Sequence, residues 1–241
     1  MTSPSAETLY NVCEATWPPA KTWRTNGFVF RDGAGGGKRV SATTVDHVPS
    51  DTEIADAEAR MRALDQPALF MIREGEEALD AKLDGAGYVV IDPVQLYAAP
   101  VELLTSQAIP PVTAFSIWEP LAIMTEIWAE GGIGPARLKV MERANQKTAV
   151  FCRWDDKPAG VAFAGMHGDV CMVHAVEVLP HQRRKGVAQW IMRQAAFWAR
   201  SNGAAWVSVL CVRDNLAANT LYKGLGFQPS GAYHYRIKEA K

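Results

Sequence analysis

Apolar residues along the C-terminal part of the chain alternate between short continuous runs and stretches with helical spacing. Residues 170–178 (VCMVHAVEV) form a mostly apolar, partly β-branched run closed by Leu179-Pro180, and this predicts a buried strand. Downstream, Val187, Ile191, Ala195 and Trp198 recur at helical spacing, predicting a helix that stops at Ser201-Asn202-Gly203. A second strand-helix unit follows, with the strand over 205–212 and the helix over 216–225. Upstream, 148–154 and 159–166 are apolar runs joined by the turn composition Asp155-Asp156-Lys157-Pro158. His167-Gly168-Asp169 turns the chain again into the 170–178 run, completing an antiparallel meander. Residues 121–130 and 136–144 read as helices broken by Gly131-Gly132-Ile133-Gly134-Pro135, and 231–237 as a final strand.

The N-terminal segment carries a weaker version of the same order. Strands are expected over 23–31 and 38–45, a helix over 51–64, a strand over 68–73, a helix over 76–84, and extended chain over 88–91 and 94–103. The run Asp32-Gly33-Ala34-Gly35-Gly36-Gly37 looks like a nucleotide loop but fails its chemistry. Gly37-Lys38 is followed by Arg39 where a phosphate-binding loop needs Ser or Thr, and the flanks predict two strands, so a flexible hairpin is expected. A shift of 139 residues lays Phe70 on Val209, Ala78 on Ala217, Gly87 on Gly226 and Tyr88 on Phe227, which suggests an internal repeat. Pro110-Pro111 marks the expected junction, giving units 1–111 and 112–241.

Composition narrows the function. A chain of 241 residues, 48% hydrophobic, with a formal net charge of −1, can build one or two cores and offers no basic footprint for nucleic acid or an anionic membrane. No run of about 18 apolar residues occurs and the first 20 residues lack a signal-peptide pattern, so a cytoplasmic protein is expected. Cys13, Cys152, Cys171 and Cys211 show no C-x-x-C spacing and read as core residues, so no metal is expected.

Two motifs carry the chemistry. Arg183-Arg184-Lys185-Gly186-Val187-Ala188 lies between a predicted strand and helix, where unpaired N–H groups, the helix dipole and basic side chains attract a phosphate, and Gly186 admits close approach. Further on, Asn215, Ala218, Leu221, Tyr222, Gly226 and Phe227 spell N-x-x-A-x-x-L-Y-x-x-x-G-F in the next strand-helix unit. In this order and separation the two motifs resemble the GCN5-related N-acetyltransferase (GNAT) superfamily over roughly residues 113–241. The one departure is Ala188 in place of a last glycine. The resemblance implies an α/β (α+β mixed) GNAT fold: a central mixed, mostly antiparallel sheet flanked by helices. A second, smaller GNAT-like N-terminal half would accompany it, its first copy having lost the phosphate cradle and, with Leu83 on Tyr222, the hydroxyl.

For the site, the resemblance implies that Arg183, Arg184, Lys185, Gly186, Val187 and Ala188 cradle the pyrophosphate of acetyl-CoA. The backbone of Val176 and Val178 would pair with the pantetheine arm, and Asn215, Ala218 and Tyr222 would face the cofactor. It implies direct attack of a primary amine on the thioester in a ternary complex, the amine being on a small molecule, amino acid or peptide. Tyr222, a phenol with pKa near 10, suits protonation of the leaving thiolate. For the base, His174 has a suitable pKa and lies four residues before Val178, on the same strand face in a regular strand. Glu177 is the other candidate: it faces the opposite way unless a bulge re-aims it, yet a carboxylate in an apolar strand needs a reason. Trp118, Trp128 and the Tyr and His of 233–235 are candidates for the acceptor wall, though such aromatics more often pack a core or a strand, and Arg137 is either a substrate carboxylate clamp or a surface arginine. A non-catalytic acyl-CoA-binding module is the alternative function, and a homodimer remains open.

Overall fold

The computed structural model describes residues 2–239. The chain opens with helix α1 (Ala6–Thr16), where no element is predicted from sequence. Its N-cap is Ser5, whose hydroxyl accepts from the Thr8 N–H at 3.1 Å. Strands β1 (Lys21–Thr25) and β2 (Phe28–Asp32) form a hairpin whose turn, Asn26-Gly27, has φ of 48° and 77°. The single strand expected over 23–31 is therefore two, because Asn-Gly at positive φ closes a tight hairpin. The glycine run does not separate two paired strands. It leads instead into a 3₁₀ turn (Lys38–Val40) and the two-residue strand β3 (Thr44–Val45), so the expected strand over 38–45 is mostly absent. Next come α2 (Asp51–Ala63), β4 (Ala68–Arg73), α3 (Glu77–Gly85) and β5 (Val89–Pro100). The short helix α4 (Val101–Thr105) occupies the end of the stretch expected to be extended.

The second part opens with β6 (Ala114–Ile117), not predicted from sequence, and then follows its predicted order: α5 (Ala122–Glu130), α6 (Pro135–Arg143), β7 (Gln146–Trp154), β8 (Lys157–His167) and β9 (Val170–Val178). A 3₁₀ turn (Pro180–Gln182) then leads to α7 (Val187–Ser201), β10 (Trp206–Val212), α8 (Leu216–Gly224) and β11 (Gln228–Lys238). Strands β4 to β11 make one eight-stranded sheet in the order β4-β11-β5-β10-β9-β8-β7-β6. It is antiparallel throughout except for the parallel pair β9 and β10.

The strands before and after residue 111 interleave in this sheet: β11 lies between β4 and β5, and β5 between β11 and β10. A shift of 139 residues carries α3 (Glu77–Gly85) onto α8 (Leu216–Gly224) end to end, and Gly87 (φ 85°) onto Gly226 (φ 87°). Register obeys the same shift. The pairs Arg73↔Tyr233 and Ala68↔Lys238 become Val212↔Val94 and Val207↔Ala99, and Val94↔Tyr233 maps onto itself. A local two-fold axis therefore crosses the sheet between β5 and β11, and each repeat lends its last strand to the other. Separated at 111, each part would leave inserted strands with unpaired edges.

Both faces of the sheet are covered. Tyr97, Ala99, Val207 and Val209 pack in a core with residues of α7 and α8, and Phe70 and Ile72 in one with residues of α2 and α3. The alternate residues Met71, Leu96 and Tyr233 face the other way, into a core with α1, and Val161 and Phe163 join one with α5 and α6.

Candidate active site

The parallel pairing of β9 with β10 runs only from Val170↔Trp206 to Val173↔Val209, although β9 continues to Val178 and β10 to Val212. The outer edges stay paired, Val178 with Gly160 of β8 and Val212 with Val94 of β5, so the two strands splay and leave their facing backbone edges open. Val176 and Val178 lie on this open stretch. Beyond it, the turn enters α7 through Arg184 (φ 64°) and Gly186 (φ 81°). Among the described residues, the N–H groups of Gln182, Arg183 and Trp190 bond to carbonyls at 2.8, 3.3 and 3.2 Å, while those of residues 184–188 have no acceptor in the protein. Gly186 caps α7 without a side-chain bond, and no acidic residue occupies the first turn. Arg183 is anchored, its Nε donating to the Val178 carbonyl at 3.1 Å, and Lys185 donates to the buried Gln182 at 3.0 Å. Such a turn can hold a diphosphate.

The repeat-related helix start is closed. Ser50 and Glu53 form a capping box on α2, with Ser50 accepting from the Glu53 N–H at 3.3 Å and Glu53 accepting from the Ser50 N–H at 2.8 Å. Asp51 and Glu53 add negative charge there, so the α2 terminus satisfies its own donors and repels an anion.

A bulge in β9 decides which way Glu177 faces. Phe163 pairs with His174 but Val161 with Glu177, which inserts one residue between the pairs, and Ala175 takes φ 52°. The buried Trp128 of α5 holds this bulge by donating from Nε1 to the Ala175 carbonyl at 2.8 Å. Trp128 is thus core, not pocket wall. The inserted residue reverses the strand's parity, so Glu177 shares a face with His174, and the expectation that His174 and Val178 share one is corrected. Glu177 is aimed at Gly131 of the α5–α6 loop, where an added Cβ would lie 2.4 Å from its Cδ. Burial pushes the Glu177 carboxyl up, and Arg183 and Arg137 pull it back.

His174 is enclosed. Its Nε2 is 2.8 Å from the Thr16 hydroxyl and its Nδ1 3.1 Å from Arg39 Nη1, and its ring lies between Trp17 and Phe163. Burial, then the Arg39 charge, holds its pKa well below 6.5. The ring is neutral and both nitrogens are engaged, so it has no free atom to meet an amine.

Tyr222 sits on α8 between Tyr97 and Phe227, at 6.1 and 5.9 Å between ring centroids, and is 6% exposed. Its hydroxyl has no hydrogen-bond partner among the described residues. Asn215 is the N-cap of α8, its Oδ1 accepting from the Ala218 N–H at 3.1 Å. Ala218 packs on the core below. The residue that organises this corner is Asn219, passed over in the sequence. Its Nδ2 donates to the carbonyls of Val212, Arg213 and Asn215 at 3.0, 3.2 and 2.8 Å, and its Oδ1 accepts from Tyr97 at 2.8 Å. A polar residue on the buried side of a helix, one turn after its cap, was the available signal.

The glycine run reaches this side of the molecule. An added Cβ at Gly35 would touch Ala136 at 3.5 Å, and one at Gly37 the Arg137 guanidinium at 3.5 Å, so the run lies against the start of α6. Tyr233 and Tyr235 are buried under α1, and His234 is paired with Asp80 at 2.7 Å.

A mixed sheet that splays beside an uncapped basic helix start, with a bulged strand leading into it, is the architecture of an acyl-CoA-dependent acyltransferase. Comparison with known proteins agrees. Residues 117–227 match the acetyltransferase (GNAT) family. The chain is 25% identical over 244 residues to the uncharacterized N-acetyltransferase YobR of Bacillus subtilis (strain 168), covering 95% of this chain and 97% of that one. Its fold is similar to that of a GCN5-related N-acetyltransferase from Kribbella flavida, with TM-score 0.67 and 18% identity over 100% of this chain and 98% of the other. It is also similar to a tandem GNAT protein from the clavulanic acid biosynthesis pathway, with TM-score 0.62 and 14% identity over 100% and 91% of the two chains. Residues 117–227 thus carry a GNAT acetyltransferase domain. Among the described residues no helix is long and apolar enough to cross a membrane, and no cluster of three or more His, Cys, Asp or Glu is placed to hold a metal ion.

Proposed function

We propose that the protein transfers the acetyl group of acetyl-CoA to a primary amine of a small molecule, amino acid or peptide, by direct attack within a ternary complex. The observation that carries this reading is the open backbone edge of β9 followed, after the turn at 179–183 whose Leu179, Gln182 and Arg183 N–H groups are bonded, by the unsatisfied N–H groups of residues 184–188. An extended amide-bearing arm ending in a diphosphate suits that sequence of donors and acceptors. Gly186 leaves room for close approach, the nearest atoms to an added Cβ being 3.9 Å away. Arg183, Arg184, Lys185, Val187 and Ala188 line the same turn.

Acetyl-CoA supplies the activated acyl group; the chain supplies positioning and proton transfer. Glu177, bulge-aimed and with a raised pKa, removes the amine's proton directly or through water, and is preferred over His174, whose nitrogens are both engaged. The Val178 N–H donates to the carbonyl oxygen as it gains charge. Tyr222 returns a proton to the departing thiolate; burial keeps its phenol protonated at neutral pH. Asn215 and Ala218 shape the corner that presents Tyr222. Residues 1–111 form a GNAT-like unit whose helix start is capped against phosphate, leaving 112–241 as the catalytic unit, in a cytoplasmic protein.

Calorimetric titration with acetyl-CoA, followed by an amine panel read by thiol release, tests the reading. Micromolar binding with amine-dependent release is expected. Absence of binding would refute it, and binding without release for any amine would favour the non-catalytic module.

A further inference from the structure

A second charged pocket lies under α1, apart from the β9–α7 turn. Its walls include Trp17, Arg31, Arg39, Met71, Arg73 and Tyr233. Arg31 is already neutralised: it holds Glu14 with two bonds, at 3.0 and 2.9 Å, and donates to the Ala42 carbonyl at 2.9 Å. Arg39 and Arg73 differ. Among the described residues neither meets a carboxylate within ion-pair distance, and the Nε of each is buried without a hydrogen-bond partner. The nearest carboxylates are engaged elsewhere: Glu14, which lines the same pocket, is held by Arg31, and Glu76 accepts from the Arg73 backbone N–H at 2.7 Å. His174, which contacts Arg39, is neutral, and burial holds Cys13 and Tyr233 in their protonated forms. What remains is aromatic: the Arg39 guanidinium is 5.6 Å from the Trp17 ring and that of Arg73 4.7 Å from the Tyr10 ring. Ring faces recover only part of what a guanidinium loses on leaving water, so two guanidiniums on one pocket with no directly paired carboxylate favour an added anion.

We propose that this pocket is a carboxylate-binding site, in which Arg39 and Arg73 receive a small carboxylic acid or the carboxylate end of a larger metabolite. The planar fork of a guanidinium matches a carboxylate, and Trp17, Met71 and Tyr233 border the pocket with apolar surface. The site stands independently of the acyltransferase reading, because its residues belong to the N-terminal segment, β11 and none of the α7 turn.

The test is calorimetric titration of the full chain with acetate, succinate, benzoate and inorganic phosphate at constant ionic strength, repeated for Arg39→Gln, Arg73→Gln and Arg73→Lys. Saturable 1:1 binding of at least one carboxylate is expected, weakened tenfold or more by either Gln variant and less by Arg73→Lys. Acetyl-CoA affinity, read on the same samples, should not change, which separates loss of this site from loss of the fold or of the cofactor reading. No saturable carboxylate binding by the wild type, binding of phosphate alone, or unchanged affinity in Arg73→Gln would overturn the proposal. Two further arms distinguish the source of the carboxylate. Affinity independent of acetyl-CoA marks a free carboxylic acid, whereas an amino acid substrate whose KM rises in Arg73→Gln at unchanged kcat marks the acceptor's own carboxylate; both support the site.

Discussion

Replacing Tyr222 by Phe removes one oxygen from a ring whose surroundings are otherwise unchanged. The ring is 6% exposed and held between Tyr97 and Phe227, and among the described residues its hydroxyl bonds to nothing in the protein. Deleting it therefore breaks no protein hydrogen bond and leaves no donor or acceptor orphaned. The expected change in folding free energy is below about 1 kcal/mol. Turnover should respond differently. A positioned general acid contributes roughly 10²–10⁴-fold, and even a tenfold loss corresponds to about 1.4 kcal/mol of barrier. Burial, and secondarily Cys211, raises the phenol's pKa, so the proton to be donated is present across the neutral range. Three measurements decide: kcat by thiol release at saturating acetyl-CoA, acetyl-CoA affinity by calorimetry, and the urea midpoint. A kcat within twofold of wild type would remove Tyr222 from the mechanism. A loss of kcat matched by losses of affinity and stability would make the ring structural instead.

Glu177→Gln is expected to lower kcat by about 10²–10⁴-fold and to abolish the acid limb of the pH-rate profile. That limb falls as pH drops through a carboxyl pKa that burial holds above 4.5. Because the folded-state pKa is raised, the carboxylate opposes folding at neutral pH, so the Gln variant should keep or increase the urea midpoint. Gly131→Ala puts a Cβ 2.4 Å from Glu177 Cδ and should push that side chain aside, lowering kcat while calorimetry finds acetyl-CoA affinity unchanged. His174 has its pKa depressed below 6.5, so its contribution to stability is complete above 6.5 and is lost as pH falls towards the folded-state value. The loss is at most about 1.4 kcal/mol per pH unit. Urea titrations below pH 6.5 should show a steeper loss for wild type than for His174→Gln; parallel curves would refute this.

Most elements of the second part were legible because each one announces its period and its ends. The 170–178 run, the α7 stripe and the turn at residues 183–188 depend on neighbours in sequence, and so does the Asn215 cap. The first part was harder to read. Helix α1 lies outside the repeat and was missed. Asn26-Gly27, which splits one apolar run into two strands, was overshadowed by the longer glycine run a few residues on. The repeat itself showed in sequence as four aligned residues. In the structure it extends to helix ends and strand register, because backbone geometry persists where side-chain identity has drifted.

The acid-base pair was legible only as a list of candidates. The face that Glu177 takes depends on one inserted residue at Ala175, held by Trp128 from a helix some 47 positions earlier in the chain, and His174, on the same face, is set apart by its enclosure under Thr16 and Arg39. A strand's side-chain alternation reverses with a single bulge, so local pattern could not settle it. The chain by itself determined the strand-turn-helix units and the basic turn, since these rest on local periodicity and short-range hydrogen bonding. The tertiary structure decided the exchange of β5 and β11, the aim of Glu177, the enclosure of His174 and the placement of Arg39 and Arg73 on one pocket, since each requires contacts between segments far apart in sequence.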